Sequence, residues 1–92
     1  MLDYDPGKRD ATLRERGLDF ADASQVFSGA CLTIRDDRVD YGEARFQTLG
    51  RLGDRVVMIV WTPRGEVRRI ISMRKCNAVE QDRYEHALDR SR

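Results

Sequence analysis

Val56-Val57-Met58-Ile59-Val60-Trp61, the turn Pro63-Arg64-Gly65-Glu66, and Val67-Arg68-Arg69-Ile70-Ile71-Ser72-Met73-Arg74-Lys75 together decide how this chain folds. The first run is apolar at odd and even positions alike. A strand made from it must be covered on both faces, which places it centrally in a sheet. The Pro- and Gly-containing turn brings the next strand back beside it. Upstream, Gly53-Asp54 forms a second tight turn, joining the central strand to a strand over about Ala44–Leu52. Three strands joined by two short hairpins predict an antiparallel meander. Cys31–Arg35 adds a fourth strand, closed by a turn at Asp36-Asp37-Arg38.

Helices flank this sheet in sequence. Asp5-Pro6 opens the first: Asp is a good N-cap, and Pro fits the first helical position because its missing N–H has no partner there. That helix runs to about Arg16, where Gly17 supplies a left-handed stop. A second, short helix begins after Asp19, with Phe20, Ala23 and Phe27 on one face and Asp22 near the free N–H groups of its first turn, and ends at Ser28-Gly29. Asn77 followed by Glu80 is a capping-box variant for a last helix, whose apolar stripe is Tyr84, Ala87 and Leu88. The expected architecture is α+β in the order ααββββα, one domain over residues 1–92, with helices largely on one sheet face.

The composition narrows the classes of function. The 92 residues are 36% charged, yet the net charge is only +1. The balance hides an asymmetry: residues 1–43 hold six basic and ten acidic side chains, whereas residues 44–92 hold eleven and six. Arg64–Lys75 alone carries five basic residues against one acid, a local basic stripe able to hold a polyanion. The longest apolar run, Val56–Trp61, falls far short of the ~20 residues of a membrane span. The acidic start, Met1-Leu2-Asp3-Tyr4-Asp5, lacks the character of a secretion signal, so a cytoplasmic location without membrane attachment is expected. Cys31 and Cys76 are read as free thiols in a reducing compartment. His86 is the single histidine, and with no Cys-x-x-Cys pair no metal site is expected. Phosphate-loop, dinucleotide-binding and Gly-x-Ser-x-Gly motifs are also lacking, so no cofactor is expected.

The chemistry concentrates on the last strand. Simple alternation puts Arg68, Ile70, Ser72 and Arg74 on one face and Arg69, Ile71 and Met73 on the other. Ser72-Met73-Arg74-Lys75, just before a helix, aims cations at the mouth of the sheet, where guanidinium forks suit phosphate oxygens. The alternative is that Arg69 and Arg74 pair with carboxylates such as Glu43 or Asp22. Glu43 and Arg45 lie two apart and so on one side of a strand. They suit a base and a phosphate anchor, or equally a surface ion pair worth ~0–1 kcal/mol. Lys8 beside Asp5 is a further candidate, although Asp5 is explained as a cap. Trp61, Tyr41 and Tyr84 are candidates for stacking bases, Trp61 being better suited to the core.

Taken in order along the chain, these segments resemble the BrnT toxin family. The matching pieces are Tyr4-Asp5-Pro6-Gly7-Lys8, Gly17 with Phe20, Ala23 leading to Val26-Phe27, Gly42-Glu43-Ala44-Arg45, the apolar strand, Arg69-Ile70-Ile71-Ser72-Met73-Arg74-Lys75, and Glu80 with Tyr84. The chain departs from the family at Tyr4, usually Trp, at Thr12, usually Asn, and at Glu15-Arg16-Gly17, usually Lys-His-Gly. An imidazole at position 16 can shuttle protons near neutral pH, whereas Arg16 cannot. The resemblance implies a RelE-like fold and an endoribonuclease toxin of a type II toxin–antitoxin system that cleaves RNA and halts translation. It also implies neutralisation by a BrnA-like ribbon-helix-helix antitoxin, with operator DNA bound only through that antitoxin.

The corresponding chemistry is a metal-independent cut in which the ribose 2′-OH attacks the adjacent phosphorus. Glu43 is the expected base, Arg45 and Arg74 the expected phosphate ligands, and Lys75 a second cation and candidate acid. Arg64, Arg68, Arg69 and Lys8 are expected to bind RNA. Two other readings compete with this one: a module that binds RNA or a partner without cleaving, and a degenerate toxin kept for operon control.

Overall fold

The computed structural model describes residues 1–38 and 40–90. Along the chain lie β1 (Leu2–Tyr4), α1 (Pro6–Arg16), a 3-10 turn (Phe20–Asp22), α2 (Ala23–Ser28), β2 (Cys31–Arg35), β3 (Phe46–Leu52), β4 (Arg55–Arg64), β5 (Val67–Lys75) and α3 (Ala78–Arg90). They form an α+β fold around one five-stranded sheet in the order β1-β5-β4-β3-β2.

Three sequence expectations need correction. The sheet is mixed, not an antiparallel meander alone: β2 to β5 run antiparallel each to the next, but β1 lies parallel to β5, with Leu2 beside Arg68 and Tyr4 beside Ile70. Three residues are too few for a periodic signal, so β1 leaves no pattern in the sequence. The element order therefore begins with a strand. The expected strand from Ala44 begins only at Phe46, leaving Glu43 and Arg45 on the segment leading into β3.

The helices also occupy both faces, which is what an apolar β4 demands. Val57 and Ile59 face the α2 side, with Leu18, Phe20, Ala23, Val26, Ile70 and Met73. Val56 and Met58 face the α3 side, where they meet Leu49 and Tyr84. Tyr84 is buried, and its hydroxyl donates to the Ala30 carbonyl at 2.6 Å.

Local signals hold as read at three helix ends. The Asp5 carboxylate accepts from Gly7 N at 3.0 Å, and Gly17 stops α1 at φ 69°. At α3, Asn77 Oδ1 accepts from Glu80 N and Glu80 Oε1 accepts from Asn77 N, both at 2.9 Å.

Gly50 on β3 is required by close packing. A Cβ there would lie 2.6 Å from Val26 Cγ1 and 3.3 Å from Cys31 Cβ. Val26 is buried and β-branched, so it cannot swing aside. Gly50→Ala is expected to lower stability by about 1–3 kcal/mol. Thermal unfolding checks this, and an unchanged melting temperature would refute the close approach of α2 to β3.

Candidate functional site

β5 contains the irregularity that builds the site. Ser72 pairs with Val60, but Ile70 pairs with Trp61, so Ile71 is an extra, bulged residue. A bulge resets the alternation of the strand. Arg69, opposite Thr62, therefore shares a face with Ser72 and with Arg74, opposite Met58. Arg68 and Ile70 turn to the α2 side instead. This overturns the alternation read from sequence, which put Arg68 with Arg74 and Arg69 on the opposite face.

On the α3 side, beyond the reach of α3 itself, three strands bring polar groups together. Thr62 on β4 is buried, and its hydroxyl lies 2.6 Å from the Ala44 carbonyl and 3.3 Å from Glu43 Oε2. Glu43 Oε1 lies 3.8 Å from Arg45 Nη2, and Glu43 Oε2 lies 3.6 Å from Arg64 Nη2. Arg69 sits on the other side of Thr62, with Nη1 2.6 Å from Asp3 Oδ2 on β1. Its guanidinium holds the Asp3 carboxyl below the usual carboxylate range. Extending the ladder one residue past the Phe46–Trp61 pair, as the Asp36 N–Arg45 carbonyl bond does on the β2 side, sets Arg45 and Arg69 on either side of Thr62, two strand spacings or roughly 10 Å apart.

Arg45 is held in place by its surroundings. Its guanidinium stacks 4.0 Å from the centroid of the Tyr41 ring. The Tyr41 hydroxyl lies 3.4 Å from Asp36 Oδ2, and Asp36 N donates to the Arg45 carbonyl at 2.8 Å. Asp36 is buried and takes a bidentate pair of 2.8 Å bonds from Arg38, which hold its carboxyl at about 2. Asp36, Tyr41, Glu43 and Arg45, with Arg35, Asp37 and Asp40, line a polar depression of about 260 Å³ in which carboxylates outnumber guanidinium groups. Arg45 Nε is buried and has no hydrogen-bond partner among the described residues. A buried N–H without an acceptor is rare and costly.

The other residues singled out by sequence lie elsewhere. Arg74 shares the face of Arg45, but about four residues further along the strands, roughly 13 Å, and two strands across. Both its terminal nitrogens are engaged by Glu80, at 2.6 and 2.8 Å. The two arginines therefore do not converge. The carboxylate partners of Arg69 and Arg74 are Asp3 and Glu80, not the Glu43 or Asp22 that sequence suggested. Lys75 pairs with Val57 and so falls on the face opposite Arg74. Lys8 is exposed on α1. Arg16, at the position where the family usually has histidine, donates to the Met73 carbonyl at 2.9 Å, tying the end of α1 to β5. Sequence reading missed Thr62 and Asp36 as site-building residues. The one available signal was a polar residue ending the apolar run of β4, and nothing local marks Asp36 for burial.

The family model described as "Ribonuclease toxin, BrnT, of type II toxin-antitoxin system" matches residues 4–80. No curated relative matches the chain.

Proposed function

Because this chain belongs to the BrnT family of ribonuclease toxins of type II toxin–antitoxin systems, we propose that its polar cluster around Thr62 cleaves RNA without a metal. The observation that carries this reading is the buried Arg45 Nε, without a hydrogen-bond partner among the described residues, on the segment that meets Thr62 from the side opposite Arg69. In this reading the scissile phosphate lies between Arg45 and Arg69. Their guanidinium groups take up the charge that grows on the non-bridging oxygens as the 2′-OH attacks. Glu43, already within reach of two cations and a hydroxyl, accepts the 2′-OH proton. The P–O5′ bond breaks, and the leaving oxygen takes a proton from water on the open face. A 2′,3′-cyclic phosphate and a 5′-OH result. Arg64 steadies Glu43 and meets a neighbouring phosphate.

The physiological setting follows from family membership in the same proposal. RNA cleavage stops translation, and a BrnA-like ribbon-helix-helix antitoxin neutralises the toxin and carries the pair to operator DNA. We read the layout, with α2 on one face of the sheet and an open polar stretch beside α3 on the other, as RelE-like.

Incubating the purified chain with RNA in excess chelator tests the reading. The expected products end in cyclic phosphate. Intact RNA that is merely retarded in a gel would replace the enzyme with a binding module.

A further inference from the structure

The sheet face opposite Thr62 carries a second feature that cleavage does not use. Between β1 and α2 runs a groove of about 530 Å³, within the roughly 300–1,000 Å³ typical of small-ligand pockets. Leu2, Tyr4 and Phe27 supply an apolar lining, and Ser24 and Ser28 stand on the α2 side. Arg68 lines the groove with its guanidinium 4.2 Å from the Phe27 ring centroid and 5.2 Å from that of Trp61. Phe27 in turn meets Trp61 edge-on at 5.6 Å, and Phe46 stacks on Trp61 at 5.1 Å. Arg68 is exposed and has no ion pair among the described residues, unlike Arg45, Arg64, Arg69 and Arg74. Here a flat cation rests on an aromatic stack with no carboxylate to neutralise it.

We propose that this groove is a nucleotide subsite, holding one base of a single-stranded RNA whose scissile phosphate lies on the other face. The proposal rests on the RNA-cleavage reading above and extends it to substrate binding. Four observations point to a nucleotide. A planar guanidinium already stacked on aromatics offers a π-compatible surface to a base, and its N–H edge binds a phosphate. Ser24 and Ser28 hydroxyls donate to the Ala21 and Gln25 carbonyls at 3.4 and 3.2 Å. Their lone pairs stay available to accept from base N–H groups. The lining is otherwise apolar, which suits a base better than a bare anion.

The path is set by the bulge. Arg68 and Arg69 are consecutive yet point to opposite faces, and both lie beside β1, the short edge strand. A strand leaving the Arg69 side need only round that edge to reach the groove.

Two variants test the subsite in the full chain. Arg68→Lys keeps the charge and removes the planar stack. Ser24→Trp, at an exposed position, fills the groove from the α2 side. The probe is a labelled 2′-O-methyl oligoribonucleotide, which lacks the nucleophile and so reports binding alone. Each variant is expected to bind it roughly tenfold more weakly, as loss of one base stack implies, with thermal melting unchanged. On cleavable RNA, KM should rise while kcat stays at the wild-type value. Wild-type affinity in either variant overturns the subsite and leaves the groove to a protein segment. Failure of the unaltered chain to bind the oligonucleotide would instead overturn the RNA reading as a whole.

Discussion

Replacing Arg45 with Ala is expected to slow RNA cleavage by about 10²–10³-fold, the usual cost of removing one donor aimed at charge that develops in the transition state. The loss should fall on kcat, because the interaction strengthens as the phosphorus gains its fifth oxygen. Stability should change little: the variant forfeits a stack on Tyr41 worth about 0.5–1 kcal/mol and an ion pair with Glu43 that is long, at 3.8 Å. Arg45→Lys separates charge from geometry. Lysine restores a cation but no Nε–H, the group buried without a partner among the described residues, so it should recover only part of the rate. Glu43→Gln should also lose activity, by roughly 10²–10⁴-fold if it serves as base. The combined variant should be no worse than the poorer single one by a large factor, since the two groups act on one event. Single-turnover cleavage of a labelled RNA measures all of these. An Arg45→Ala protein cutting at the wild-type rate would end the assignment of the site.

What the sequence made legible is what short range decides. Asp5, Gly17 and the Asn77–Glu80 box mark helix ends because each signal spans at most three residues and acts on its own backbone. The double-sided apolarity of Val56–Trp61 correctly made β4 central, yet the same fact implies cover on both faces, and the helices do divide between them. β1 was illegible because its partner is 66 residues away and its own length gives no periodicity. The site failed in a related way. Alternation is a rule for regular strands, and one bulged residue, Ile71, exchanges the faces of Arg68 and Arg69. Ile70 and Ile71 are adjacent and chemically alike, so nothing in the residues says which one drops out of register. The core decides it: Ile70 is buried on the α2 side, leaving Ile71 as the extra residue.

The same distance argument recasts Arg74, and its variants should show it. Arg74 Nη1 and Nη2 grip both oxygens of Glu80, whose Oε1 also caps α3 through Asn77 N. The pair therefore fastens the start of α3 to the end of β5. Arg74 holds the Glu80 carboxyl at about 2, below its ordinary 4.5. Because the folded value lies below the unfolded one, the pair's contribution is complete above about pH 4.5 and fades as pH falls toward 2. Asp19, held at about 2 by Arg9, and Asp36, held at about 2 by Arg38, fade in the same window. Acid unfolding should thus be steep between these limits. Arg74→Ala and Glu80→Gln are each expected to cost about 1–2 kcal/mol near neutral pH, at the lower end for charge-assisted hydrogen bonds because Arg74 is partly exposed. For a chain of this length that is a fall of roughly 5–15 °C in melting temperature. Glu80→Gln should in addition flatten the acid dependence below pH 4.5. Both variants, assayed where they remain folded, should cleave RNA within a few-fold of the wild-type rate. The opposite pattern, with Arg74→Ala losing a hundredfold in rate while Glu80→Gln keeps it, would return Arg74 to the phosphate. It would require the arginine to leave Glu80 and swing along the sheet toward Thr62 when RNA binds.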